Sequence, residues 1–440
     1  MTYVAPHPAA ALPGAPHRRL VTRRKRSGVD IIRLSILWLA IYFSSVVLLD
    51  VFYNIFILLA LGAFVLTGLK LDRANMPFIF FLIIYNLGAL IALQPYTDFE
   101  WSREFVIGTG FVATTAIFFC LMLNEDAITR LNVCRSAFIV GAVQAAACGI
   151  LGYADIAGLG SVFSMYGRAS GTFRDPNVLG PFLVLPALYL LWDLFHGGRY
   201  LLFKAVCLLI VLLGLFLSFS RGAWGSVVVG SAVLLALAYK TSESRAVRKR
   251  IVVGVVVALI LVALLLAIAL SVDDVAKVFA DRFTLQKDYD SGPSGRFGNQ
   301  KRSIPELLDR PFGYGPNRHG LFWPENPHNV YIMAFSSYGW LGGLTFLGYI
   351  ASTFYLGLRN CFLKTPFQMH SIVIWSALLP HILQGFQIDS DRWRHLFYLY
   401  GVTWGLAAIN RKWLILNRPV PLMRRDSSAS ASPYRPPRSG

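Results

Sequence analysis

Pro327-His328-Asn329 ends a long hydrophilic stretch at the point where an apolar run begins. Histidine has the side chain whose ordinary pKa lies nearest neutrality, so His328 is placed to take a proton from a hydroxyl. It could also simply cap the helix that follows. Two arginines, Arg168 and Arg174, sit in the segment GRASGTFRDPNVLG (167–180). There Asp175-Pro176-Asn177 is turn chemistry ahead of an apolar helix, and a helix N-terminus with nearby arginines attracts anions. Read as interfacial anchors, the same arginines would snorkel to the headgroups, but an anchor needs no glycine-rich turn. Arg221, in LSFSRGAWG (217–225), interrupts a long apolar run. A charge there is costly unless it is paired or faces water. It either marks a tight turn or meets a ligand that Ser220 and Gly222 let approach closely. Arg296 follows Ser294-Gly295 in a flexible stretch. One histidine and several arginines on one membrane face make a site for an anionic lipid-linked donor, with arginines on the phosphates and the histidine at an acceptor hydroxyl.

No GxGxxG, phosphate loop or HExxH occurs, and Asp389-Ser390-Asp391 lacks metal-like spacing to other carboxylates. No metal and no cofactor are expected. His381, after Pro380 in an apolar run, is a functional suspect because polar groups inside a membrane are costly, and helix packing explains it equally well.

The elements that must hold these residues are helices in a bilayer. Of the 440 residues 55% are hydrophobic and only 15% charged, where a soluble chain would carry about a quarter charged. Apolar runs of about twenty residues, the length that crosses a bilayer core, recur from Ile31 to Ile409. The expectation is an all-α polytopic membrane protein with about twelve spans, near 31–49, 51–69, 77–96, 105–123, 136–153, 178–195, 201–219, 222–239, 251–271, 329–358, 370–388 and 395–410. Asp50 leaves the first pair as either a tight hairpin or one interrupted helix, and Gly339, Gly342 and Gly343 suggest a break in the tenth. The net charge of +18 is concentrated in the two tails and in KTSESRAVRKR (240–250). That is the positive-inside pattern with both termini cytoplasmic, and it argues for lipid contact and against nucleic acid. The five cysteines fall in apolar runs or cytoplasmic loops, so no disulfide framework is expected.

The domain reading is a disordered basic cytoplasmic tail (1–30), nine spans (31–270), a periplasmic loop with site residues (271–328), three further spans (329–410) and a second disordered tail (411–440). The loop carries eight Lys/Arg and eight Asp/Glu. It is too small to fold unsupported and should pack on the membrane part as a lid or site wall.

These motifs resemble the O-antigen ligase and polysaccharide polymerase family of bacterial inner membranes. GRASGTFRDPN resembles its R-x-SGTF-x-x-PN segment. Ser220-Arg221-Gly222, Ser294-Gly295-Arg296, FGYGPN (312–317) and His328-Asn329 with Gly339 further on fit in the family's order. The resemblance covers about residues 30–410. It implies a metal-independent, GT-C-like glycosyltransferase that moves a glycan from undecaprenyl pyrophosphate to an acceptor sugar at the periplasmic face of the inner membrane. By that resemblance His328, Arg296 and Arg221 are the catalytic group. Arg168, Arg174, Asn177 and Asn329 bind substrate. Arg392 and Arg394 could line the same face, and His319 matches no family position. The acceptor would be a lipid-linked repeat in a polymerase or lipid A-core in a ligase, and a chain-length regulator would be a further partner. Gly342-Gly343 replaces the polar pair expected there, which favours polymerase. A transporter of the same lipids would need midplane charges and an inverted repeat, and neither stands out in the sequence. A structural scaffold for polysaccharide export is the smallest alternative.

Overall fold

A computed structural model describes residues 27–271, 295–324 and 326–418. Residues 1–26 and 419–440 of the two tails, most of the first half of the 271–328 loop and the side chain of Arg296 lie outside the described residues. Of the described residues 79% are helical and 1% are in strands. Among the described residues seven helices are long and apolar enough to cross a membrane.

The chain opens with α1 (Gly28–Phe43), α2 (Asp50–Leu66), α3 (Met76–Leu93), α4 (Glu100–Leu121) and α5 (Ala127–Tyr153). Ser27 and Asp30 start α1 with reciprocal side-chain to amide bonds of 3.2 and 3.1 Å, a capping box that satisfies two first-turn amides. The short linker after Phe43 turns back, and α2 packs on α1 as a hairpin. A short α6 (Gly160–Phe163) leads into a two-stranded ribbon, β1 (Ser164–Met165) antiparallel to β2 (Arg168–Ala169), with Ser164 opposite Ala169. Then come α7 (Pro176–His196), α8 (Leu201–Leu217), α9 (Arg221–Thr241) and α10 (Arg245–Leu270). The described part of the loop holds α11 (Arg296–Leu308) and α12 (His319–Phe322). The last helices are α13 (Val330–Cys361), α14 (Gln368–Gln384) and α15 (Arg394–Leu416).

A helix lies over each of the twelve apolar stretches, and two faces of packing distinguish them. In α4, α7, α14 and α15 apolar residues are buried almost all round, among them Phe118, Phe182, Leu183, Trp375 and Tyr398. A helix apolar on every side belongs inside a bundle. The outer helices α2, α8 and α10 instead leave Leu58, Leu59, Leu202, Phe203, Leu209 and Val252 exposed, the face such helices turn to lipid.

The tenth stretch is broken at Gly339, with φ +64° and ψ −165° inside α13. The break frees a helical acceptor and a helical donor four residues apart, and the loop takes both. Tyr314 donates its amide to the Ser336 carbonyl (2.7 Å), and the Trp340 amide donates to the Pro311 carbonyl (2.9 Å). The Trp340 indole adds a bond to the Leu307 carbonyl (3.0 Å). The described part of the loop is thereby docked on the membrane helices as a wall. Three residues on, Gly342 has its backbone against α3, where a Cβ on Gly88 would come within 2.9 Å of the Gly342 nitrogen. Small residues here let two helices approach closely, which is a packing reason for Gly342.

Gly339→Ala should lower stability by about 2 kcal/mol or more, because the new Cβ would run into the Pro311 carbonyl and lie 2.8 Å from the Phe312 Cα at a backbone angle that side chains rarely adopt. A thermal unfolding midpoint of the detergent-solubilised variant equal to that of the parent would show that the break is not needed.

Candidate functional site

The site forms where the starts of α13 and α15, the turn between α14 and α15, and the segment before α7 converge. Asn329 ends the loop and caps α13, its side-chain oxygen accepting from the amides of Tyr331 (3.0 Å) and Ile332 (3.2 Å). The preceding residue, His328, is held at φ +45°, a left-handed conformation uncommon for a residue with a side chain. Its Nδ1 lies 3.3 Å from Asp389 Oδ2, and the Asn329 amide donates to Asp389 Oδ1 (3.1 Å). One carboxylate in the α14–α15 turn therefore fixes both the backbone and the ring of the candidate base. A carboxylate on Nδ1 leaves Nε2 as the nitrogen able to accept a proton, the arrangement seen where a histidine serves as general base.

Asp389 also lines a cavity of about 500 Å³, within the usual range for a ligand site. Arg174, Asp391, Arg392, Arg394 and His395 line it too, and Val47, Phe105, Phe173, Val178 and Met333 form its apolar parts. Each arginine is braced. Arg392 lies over the Phe105 ring (4.5 Å) and Arg394 over the Tyr53 ring (4.3 Å). Arg174 reaches Asp50 at 3.6 Å while staying mostly exposed. Burial pushes the Asp391 carboxyl up to about 6, with Arg392 opposing the shift and Asp389 adding to it. His395 is only 5% exposed, and its Nε2 is buried with no hydrogen-bond partner among the described residues. A buried polar atom left so costs about 1–3 kcal/mol.

The segment 167–180 positions this site more than it lines it. Gly171 and Ser170 donate their amides to the Phe163 carbonyl (2.9 and 3.0 Å). Leu48 donates its amide to the Thr172 carbonyl (3.0 Å), and the Thr172 hydroxyl returns a bond to the Ser45 carbonyl. Phe173 is buried against Phe182, with ring centroids 5.0 Å apart. Arg168 donates from Nε to the Ser218 carbonyl (2.8 Å) and from Nη2 to Asn177 Oδ1 (2.8 Å). Asp175 caps α7, accepting from the Asn177 amide (2.7 Å). So Arg168 and Asn177 bridge the ribbon, α7 and the α8–α9 turn, and of the segment's predicted site residues only Arg174 lines the cavity.

Arg221 opens α9 directly after Ser220, whose hydroxyl accepts from the Ala223 amide (3.4 Å). Arg221 does not line the cavity. Arg296 opens α11. His319, unassigned in sequence, is fully buried and shares a hydrogen bond with Ser336 Oγ (3.0 Å). His381 is buried in α14 with Nδ1 on the Ala377 carbonyl (2.6 Å), its ring 5.4 Å from that of His395. Among the described residues no group of three or more His, Cys, Asp or Glu side chains gathers as a metal site would.

Sequence reasoning passed over Asp389 as an acidic residue of no metal-like spacing and did not single out His395. The signal was present, since positions 389–395 read DSDRWRH, an ionisable cluster between two apolar helices.

The fold and site define a multi-pass helical membrane protein with a charged cavity beside a carboxylate-held histidine. A family model described as O-antigen ligase matches residues 206–347 of the chain. That family supports a function of O-antigen ligase or polymerase type, in glycosyltransferase-like enzymes. The matched residues include Arg221, Arg296, His328 and Asn329; Arg174 and the 389–395 cluster lie outside them. No curated protein matches the chain.

Burial pulls the His319 imidazole down to about 4, against weaker raising effects of Asp389 and Glu306. It is neutral when folded and takes up a proton on unfolding below about pH 6.5. Its contribution to stability is full above that pH and is lost as pH falls towards 4. Between pH 7.5 and pH 5 the parent should therefore lose more of its unfolding midpoint than His319→Gln. Equal losses in the two proteins would refute a neutral, buried His319.

Proposed function

We propose that this protein is a polysaccharide polymerase of the bacterial inner membrane, with about twelve of its helices crossing the bilayer in a GT-C-like arrangement and its site on the periplasmic side. The donor is a glycan on undecaprenyl pyrophosphate, and the acceptor is a sugar hydroxyl of a second lipid-linked repeat. The observation that carries the reading is the His328–Asp389 pair beside the charged cavity.

In the reaction the acceptor oxygen forms a bond to the donor's anomeric carbon while the bond from that carbon to the phosphate oxygen breaks. His328 takes the acceptor proton, and Asp389 keeps the ring oriented and offsets the charge it gains. Undecaprenyl pyrophosphate departs with the bonding electrons, and Arg221 and Arg296 steady the charge that develops on it. No metal enters the scheme. The wording of 167–180 and Gly342-Gly343 in place of a polar pair favour polymerisation over transfer to lipid A-core.

Purified protein given the undecaprenyl-pyrophosphate repeat alone should produce a ladder of longer lipid-linked chains on a gel. His328→Ala should slow it at least about 100-fold at unchanged expression. Product only when lipid A-core is added would make the protein a ligase. No transfer to either acceptor would sink the enzyme reading and favour a transporter.

A further inference from the structure

Resting on the transferase reading, we propose that the first turn of α15, with Arg394 and His395, is a phosphate-binding subsite of the cavity, completed by Arg174 from the segment opposite. It would take the phosphate or diphosphate group of a ligand.

Several observations converge there. Trp393 precedes α15 without giving it a side-chain cap. The amides of Leu396 and Phe397 turn back to the Trp393 carbonyl (3.0 and 3.2 Å), so the amides of Arg394 and His395 stand ahead of the first helical bonds. Such amides, with the helix dipole behind them, favour an anion. His395 independently points to a ligand. It is 5% exposed, it lines the cavity, and its Nε2 is buried without a hydrogen-bond partner. Arg394 shows the same feature at Nη1, buried and without a partner, while its guanidinium rests on Tyr53. Arg174, Arg394 and His395 line one volume, and a tetrahedral oxyanion accepts from several directions at once.

The acidic residues of the cavity do not cancel this. Asp389 is engaged by His328 and by the Asn329 amide. Asp391 has Arg392 as its opposing charge. The arrangement separates two tasks across one cavity. His328 stands on the Asp389 side for proton transfer, and Arg394 and His395 face the cavity from the start of α15. It also gives positions 392–395 a role that does not depend on Arg221, which lies outside the cavity lining.

The test reads binding and not turnover. Full-length protein in detergent is titrated with inorganic pyrophosphate, and saturable binding is measured for the parent, R394Q, R394K, H395Q and R103Q. Arg103 donates to the Thr97 carbonyl (3.1 Å) and does not line the cavity, so it controls for general surface attraction. R394Q and H395Q should each weaken binding about tenfold or more, with R394K losing less and R103Q nothing. Thermal midpoints identify any variant that fails to fold, and R394K keeps the charge in that case. Displacement of pyrophosphate by a short-chain polyprenyl diphosphate would support a lipid headgroup as the occupant. Binding without such displacement would support a free phosphate. Three results would overturn the subsite: no saturable binding by the parent, folded R394Q and H395Q binding as tightly as the parent, or an equal loss in R103Q. Because transfer is not measured here, a failed transferase assay with intact pyrophosphate binding sinks the enzyme reading and leaves the subsite. Glycan transfer with unchanged binding in R394Q sinks the subsite alone.

Discussion

The Asp389 carboxylate is the joint on which the site depends. Through one oxygen it meets the His328 ring, and through the other it accepts the Asn329 amide. The first contact sets the direction of an imidazole, and the second fixes the backbone from which that imidazole hangs. Val330 adds a bond from its amide to the Gly385 carbonyl (2.9 Å). The start of α13 is therefore tied to the end of α14 and to the turn beyond it. A charge-assisted bond is worth more than a neutral one, and this one lies partly shielded from water, with Asp389 21% and His328 37% exposed.

The same logic of supplied partners explains how a long loop can sit against membrane helices. A broken helix in a low-dielectric setting exposes backbone groups that must find partners. At Gly339 those partners are the Pro311 carbonyl and the Tyr314 amide, so the break and the loop that follows α11 require one another. His319 shows what burial under that loop does to a histidine, since its ring is pulled towards neutrality. His328 ends the same loop beside a carboxylate. Two histidines nine residues apart in one loop thus have opposite surroundings, and only one has the geometry of a proton acceptor.

Much of the scaffold was legible in sequence because bilayer thickness sets the length of apolar runs. Each predicted stretch carries a helix, and Asp175, read as turn chemistry, caps α7, while the cap of α13 is Asn329 and not His328, to which the sequence reading gave that alternative. The break at Gly339 was legible for the same reason. The pairing of His328 with Asp389 was not, because 61 positions and two helices separate them and their meeting depends on how α13, α14 and α15 pack. The segment 167–180 was legible as unusual, yet most of its polar groups serve the ribbon and the α1–α2 turn. Its charged residue at the cavity is Arg174, with Phe173 and Val178 beside it. Gly342, read as a departure from a motif, also serves contact with α3.

The most direct measurement is a double-mutant cycle on glycan transfer, using the parent, His328→Ala, Asp389→Asn and the pair. If Asp389 acts through His328, Asp389→Asn should lose about 10- to 100-fold, and the pair should be no slower than His328→Ala alone within about twofold. Losses that multiply in the pair would contradict the account, since each residue would then act without the other.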